Sequence, residues 1–164
     1  MIVKASGSST GSFYFYFRNK EDVFAAALER FGERIAEALN AAIAAVGEKP
    51  VEQMRSAVQQ LVLFMAENPD EARILIVESS GLGARLEMIR RGIVDSHARA
   101  VEKTLSQLRS TLPPLDPALA ARCWIGSVYE SVFHWLEQAS ARRQPAKMVA
   151  SAVADFNLRG IGAL

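Results

Sequence analysis

The sequence predicts an all-α protein in which a short N-terminal region precedes several long helices. After residue 19, alanine, leucine, glutamate and arginine are abundant, and runs of β-branched residues are short. Apolar residues recur at every third or fourth position in several segments, which is the spacing of amphipathic helices. Prolines and glycines separate these segments near residues 47–50, at residue 69, near residues 81–83 and over residues 113–117.

The first long helix is predicted over about residues 20–46. Asn19 is a suitable N-cap and Gly47 a suitable stop. The next helix lies between Pro50 and Pro69, and the second proline fits the first turn of a helix that follows directly. The apolar stripe of the first helix consists of Phe24, Leu28, Phe31, Ile35, Leu39 and Ile43.

Further helices are predicted in the second half of the chain. Residues 85–110 carry another amphipathic pattern, and residues 145–160 form a last helix. Residues 117–141 are apolar on nearly all sides, which predicts burial on several sides. In a chain of 164 residues, one of those sides is expected to contact a second subunit, with a monomer core as the alternative. The stripe of the helix at 85–110 consists of Leu86, Ile89, Ile93, Val101, Leu105 and Leu108.

Composition narrows the functional classes. Half of the residues are hydrophobic and the net charge is +1, so a sizeable core is expected and any nucleic-acid binding must come from a local patch. Cys123 is the only cysteine, which excludes a disulfide within one chain and fits a reducing cytoplasm. No run of apolar residues is long enough to predict a membrane span.

Catalytic signals are weak. His97 follows Asp95 and Ser96 directly, and neighbours in a helix do not face one another, so an exposed helix surface is expected there. His134 lies between two aromatic residues and is expected in a core or interface. Metal-ligand spacings, phosphate loops and nucleophile elbows are absent from the sequence. We therefore predict no enzyme, no metal and no cofactor, with a helical enzyme using either histidine as base as the alternative.

The aromatic run "FYFYF" at residues 13–17 needs its own interpretation. Its alternation is typical of a strand, but a lone strand in a helical chain would have no partner. In a helix, Phe13 and Phe17 share one face and Ser9 is a natural N-cap, which leaves residues 10–12 in an exposed first turn suited to phosphates and base edges. Lys20 opposes the dipole of the next helix, so it is predicted to meet a phosphate, with a solvated lysine as the alternative.

The stretch "SGSSTGSFYFYFRNKEDVF" resembles the recognition-helix signature of TetR-family transcriptional regulators. Beyond it, the resemblance is one of architecture, since a long connecting helix and several apolar helices cover the rest of the chain. The residues that match the signature are Gly7, Ser9, Gly11, Phe13, Tyr14, Tyr16, Phe17, Lys20, Glu21 and Val23.

The resemblance implies a partial helix-turn-helix remnant at residues 1–46, with a recognition helix at about 9–16 and a connecting helix at about 20–46. It implies a ligand-binding and dimerisation domain at residues 47–164. The family's first two helices would lie ahead of these residues, so we expect weak operator binding by this chain. By position, Thr10, Gly11, Ser12, Tyr14 and Phe15 are implied to meet the major groove, and Tyr16 and Lys20 to hold phosphates.

The function implied by the resemblance is a cytoplasmic, ligand-responsive regulator, a repressor that a small effector releases from operator DNA. Dimerisation is implied through helices 117–141 and 145–160. Aromatic residues and methionines among the middle helices suggest an apolar or aromatic effector, with Tyr129 or His134 as its polar contact. A helical small-molecule-binding protein without DNA binding is the alternative. The candidate pocket residues are Phe64, Met65, Ile89, Trp124, Tyr129 and Phe133.

Overall fold

The computed structural model describes residue 17 and residues 19–78 and 83–164, and these residues contain helices and no strand. A π-helical turn at Ile74–Glu78 directly follows the third α-helix, and a short 3₁₀ turn at Ser140–Arg142 precedes the sixth and last α-helix of this part of the chain. The prediction of an all-α fold is confirmed. The helices are α1 (Lys20–Ala45), α2 (Pro50–Glu67), α3 (Pro69–Arg73), α4 (Ala84–Gln107), α5 (Pro117–Glu137) and α6 (Ala146–Gly160).

Capping residues determine several helix ends. The side chain of Asn19 accepts a hydrogen bond from the backbone N–H of Asp22 at 2.8 Å, which confirms it as the N-cap of α1. Gly47 has a φ of 66°, the left-handed conformation that glycine adopts readily after a helix. The predicted fifth helix extended to residue 141 and was too long, because the backbone is already extended at Gln138.

Helices α1 and α2 form an antiparallel pair. The rings of Phe31 and Phe64 lie 5.6 Å apart, and Arg34 donates a hydrogen bond to the side chain of Asn68 at 2.6 Å. On its other side α2 packs antiparallel to α6, where Arg55 forms an ion pair with Asp155. Helix α2 therefore lies between the connecting helix and the last helix of the chain.

Helix α4 runs parallel to α1 and is held close to it. At their first turns Arg85 donates to the carboxylate of Asp22 at 2.6 Å. Further along, a Cβ atom at Gly32 would lie only 2.9 Å from side-chain atoms of Ile93, so the absence of a side chain permits this close approach. The start of α4 is thereby tied to the start of α1.

One apolar core joins the helices. The apolar stripe predicted for α1 divides along its length: Leu28, Phe31 and Ile35 are buried in the core, whereas Leu39 and Ile43 are only half buried. The largest fully buried side chains are Trp124, Phe31, Leu28, Ile35, Met65, Leu75, Leu86, Leu105, Leu136 and Leu158.

Candidate functional site

A cavity of about 260 Å³ lies among α1, α2, α4 and α5. Ala36, Ala57 and Ala100 contribute to its lining, and their small side chains leave the space unfilled. The half-buried end of the α1 stripe forms part of the wall, which explains why that end is not packed like the rest. The apolar wall includes Leu39, Ile43, Val58, Leu61, Val101 and Trp124.

The cavity opens between α1 and α4. Ala36 and Asn40 on α1, and Ser96 and Ala100 on α4, both line the cavity and are exposed to solvent. They follow the close contact of the two helices at Gly32 along each helix. The two helices therefore touch near their first turns and leave an entrance further along.

Among the described residues the lining is uncharged and mostly apolar, since none of those that line the cavity is Asp, Glu, Lys or Arg. Several of its polar side chains already donate to backbone carbonyls. Gln53 donates at 2.6 Å, Ser96 at 2.7 Å and Thr104 at 3.1 Å. These donors are engaged by the protein itself, so the wall presents little polarity to a ligand.

His97 is the exception, and the expectation that it lies on an exposed surface is wrong. It is only 8% exposed, because α5 covers this face of α4, and it lines the cavity. Its Nδ1 lies 3.1 Å from the hydroxyl of Tyr129. Burial lowers the pKa of His97 to about 4, so the ring is neutral near pH 7. Burial also raises the pKa of Tyr129, which keeps its hydroxyl protonated.

The free energy of unfolding should fall as the pH drops from about 6.5 to 4. The unfolded chain binds a proton at His97 in this range while the folded chain does not, since the folded pKa is about 4 and the ordinary value is 6.5. The loss amounts to about 3 kcal/mol at pH 4. Urea unfolding of the wild type and of His97→Phe at several pH values measures it.

The comparison that isolates His97 is the slope of stability against pH. His97→Phe should flatten the slope between pH 6.5 and 4. The same substitution at His134 controls for the loss of a histidine, since His134 is exposed and the expectation that it lies in the core is wrong. An unchanged slope in His97→Phe would contradict the assignment.

Position 97 could have been found from the sequence. It lies four residues after Ile93 and four before Val101, so it fills a gap in the predicted apolar stripe of α4. A polar residue in the middle of an apolar stripe is a candidate for a buried functional group. The prediction of an exposed His97 considered only its immediate neighbours in the sequence and not its position within the apolar stripe.

Of the predicted pocket residues, the structure places Trp124 in the cavity wall. Tyr129 lies behind His97 as its hydrogen-bond partner. Phe64 packs on Phe31 and beneath the guanidinium of Arg34, 5.3 Å from the ring centroid. The other three predicted pocket residues are the fully buried Met65 and the half-buried Ile89 and Phe133. Contact of all six residues with an effector stays a prediction.

The predicted DNA contacts fall mostly outside the described residues. Lys20 is described, and it is the exposed first residue of α1. Its contact with a phosphate stays a prediction. The predicted contacts outside the described residues are Thr10, Gly11, Ser12, Tyr14, Phe15 and Tyr16.

Helices α5 and α6 carry exposed apolar residues, here called the α5–α6 surface: Leu119, Cys123, Met148, Ala152 and Phe156. Leu119, Met148 and Phe156 are each more than 60% exposed: 63%, 62% and 68%. The residues of each helix are spaced four apart and so share a face. A groove between the helices brings Leu119, Cys123 and Phe156 together. Helices predicted to bind a second subunit therefore present exposed apolar residues.

Two other features are absent from the described residues. No group of three or more His, Cys, Asp or Glu side chains in this part of the chain could hold a metal ion. None of its helices has the length and apolar character needed to cross a membrane.

Comparison with known proteins supports a TetR-family regulator. Residues 1–27 match the family model described as bacterial regulatory proteins, tetR family. A TetR-family regulator from Rhodococcus RHA1 has a TM-score of 0.79 and 21% identity, over 98% of this chain and 84% of that one. FadR from Bacillus subtilis in complex with stearoyl-CoA has a TM-score of 0.78 and 21% identity, over 98% of this chain and 86% of that one.

A third structure, PfmR from Thermus thermophilus, has a TM-score of 0.76 and 19% identity over 96% of this chain and 85% of that one. No curated protein matches the chain. The chain has the fold of TetR-family proteins, and the neighbours PfmR and FadR are transcriptional regulators.

Proposed function

We propose that the chain is a TetR-family, ligand-responsive transcriptional regulator, a repressor that a small apolar or aromatic effector in the cavity releases from operator DNA. One observation carries the proposal. Helix α1 begins at Lys20, within the residues that match the family model, and Leu39 and Ile43 near its other end line the cavity. The matched region and the candidate effector site thus share one helix.

The packing of α4 on α1 supports a mechanism for release. A ligand entering between these helices contacts both, and it shifts the equilibrium toward the arrangement that it binds more tightly. The ion pair of Arg85 with Asp22 joins the two helices next to the matched residues. In a dimer, a changed arrangement would move the two recognition helices out of register with successive major grooves.

The α5–α6 surface supports the proposed homodimer. Apolar residues that are more than half exposed, such as Phe156 and Leu119, lose contact with water when a second copy covers them. A two-fold axis would place the same surface of both copies in contact.

An apolar effector is supported by the cavity wall and by one structural neighbour. FadR from Bacillus subtilis was solved with stearoyl-CoA, a ligand with a long apolar chain. The uncharged lining of the cavity here suits an apolar or aromatic group of this kind. The alternative function, ligand capture without DNA binding, would use the same cavity.

Blocking the entrance tests the effector site. Ala100→Trp places a large side chain at the cavity mouth without disturbing the buried core, since Ala100 is exposed. We expect butylbenzene, a neutral apolar probe, to raise the melting temperature of the wild type, because ligand binding stabilises the folded state. Ala100→Trp should weaken the binding at least about tenfold by calorimetry, through the loss of roughly 1.4 kcal/mol or more of binding free energy.

Ala41→Trp is the matched control, since Ala41 is an exposed alanine of α1 outside the cavity lining. It should bind the probe like the wild type. Equal binding by Ala100→Trp and the wild type would refute this cavity as the effector site.

A further inference from the structure

We infer that His97 determines the specificity of the cavity by donating a hydrogen bond from Nε2 to an acceptor oxygen on an uncharged, otherwise apolar effector. A ketone, ester, ether or hydroxyl oxygen would serve as the acceptor. The inference rests on the proposed function, since it takes the cavity as the effector site.

The hydroxyl of Tyr129 determines which nitrogen of His97 carries the proton. Among the described residues, His97 is the hydrogen-bond partner of this hydroxyl, at 3.1 Å from Nδ1. If Nδ1 carried the proton, it would donate to the phenol oxygen, and the phenol proton would have no acceptor there. The opposite arrangement satisfies both groups, since Tyr129 then donates to Nδ1. The proposal therefore places the single proton of the neutral ring on Nε2.

We place Nε2 toward the cavity on two observations. Within the part of the chain that the structure describes, every fully enclosed side-chain nitrogen or oxygen has a hydrogen-bond partner. Within the described residues, the His97 ring makes its hydrogen bond through Nδ1, to Tyr129. Nε2 is therefore not fully enclosed, and His97 lines the cavity. A donor that faces an apolar cavity gains most from a ligand that carries a matching acceptor.

The other polar side chains compete little for this role. The donors of Ser96, Thr104 and Gln53 are engaged by backbone carbonyls, and Asn40 lies exposed at the mouth, where water can bind it. No cationic side chain in the part of the chain that the structure describes lines the cavity, so an anion inside it would be buried without a counter-charge from these residues. The lining thus favours a neutral acceptor over a carboxylate.

The volume limits the size of the ligand. A cavity of 260 Å³ corresponds to about nine waters at roughly 30 Å³ each, and so to a ligand of about ten non-hydrogen atoms. Three probes near this size are butylbenzene, butyrophenone and 4-phenylbutyrate. Butylbenzene carries no acceptor, butyrophenone carries a neutral ketone and 4-phenylbutyrate carries a carboxylate.

Calorimetric titration of the wild-type chain with these probes tests the inference. Butyrophenone should bind roughly fivefold to tenfold more tightly than butylbenzene, which is the effect of one neutral hydrogen bond. 4-Phenylbutyrate should bind more weakly than butyrophenone at pH 7.5. Tighter binding of the carboxylate would overturn the inference.

Substitutions then assign the preference to His97. The double variant His97→Leu/Tyr129→Phe removes both partners of the hydrogen bond and leaves neither group unpaired. It should bind butyrophenone and butylbenzene with equal affinity. Thr104→Val removes another polar group of the lining whose donor is already engaged, and it should keep the preference. A ketone preference that survives in the double variant would overturn the inference.

The ring proton can be observed directly by ¹⁵N NMR, since the chain has only 2 histidines. The inference expects His97 to be protonated at Nε2 at pH 7.5, and protonation at Nδ1 would refute it. Equal affinities of the wild type for butylbenzene and butyrophenone would remove the role of His97 but leave the cavity as an effector site. Failure of the wild type to bind either probe would overturn both.

Discussion

Replacing Phe156 by glutamate should separate the proposed dimer into monomers and weaken its association roughly a thousandfold. Phe156 is 68% exposed in the single chain and lines the groove between α5 and α6 together with Leu119 and Cys123. Because a two-fold axis repeats each residue, the substitution removes two aromatic side chains and places two carboxylates in an apolar interface. Analytical ultracentrifugation over a range of protein concentrations measures the change.

Met88→Glu provides the control for this experiment. Met88 is an exposed apolar residue of α4, 70% exposed, and it lies outside the α5–α6 surface. The Met88→Glu substitution should leave the association of the two subunits unchanged. Dimers of equal affinity in Phe156→Glu would place the subunit contact elsewhere on the molecule.

Trp124→Ala should cost about 3–5 kcal/mol of unfolding free energy, the usual range for a buried aromatic residue. Trp124 is 2% exposed and packs in the core while one part of it lines the cavity. A loss of this size is a large fraction of the total stability of about 5–15 kcal/mol of a typical domain. Chemical unfolding at one fixed protein concentration measures it.

The same substitution at Trp135 should cost clearly less. Trp135 is half buried at the edge of the core, donates one hydrogen bond to the carbonyl of Gln144 and has Arg143 stacked over its ring. These contribute about 1 kcal/mol each. A cost at Trp124 no larger than the cost at Trp135 would contradict the packing described for α5.

The fold was largely predictable because its signals are local. Asn19 caps α1 through its own side chain, and Gly47 follows the last turn with a positive φ, so both ends could be predicted from neighbouring residues. The end of α5 could not, because residues 138–141 carry no strong stop signal. Hydrogen bonds from outside the helix meet its last carbonyls: Arg143 donates to the carbonyls of Leu136 and Gln138, and Arg73, 63 positions away, also donates to Leu136.

The cavity was harder to predict than the fold. Large aromatic residues were expected to line it, yet Phe64 packs against Phe31 outside the lining. The space exists where side chains are small, at Ala36, Ala57 and Ala100, and a small residue has no distinctive signal in one sequence. The pairing of His97 with Tyr129 joins residues that are 32 positions apart, so only the packing of α4 on α5 reveals it.

The most direct test of the account is to locate a bound apolar ligand on the chain. Methyl groups of Leu39, Ile43, Val101 and Val128 line the cavity and can be followed by ¹³C NMR during titration with butylbenzene. The account predicts saturable shifts at these methyls that Ala100→Trp abolishes and Ala41→Trp preserves. Shifts confined to Leu119 on the α5–α6 surface, with the cavity methyls unchanged, would contradict it.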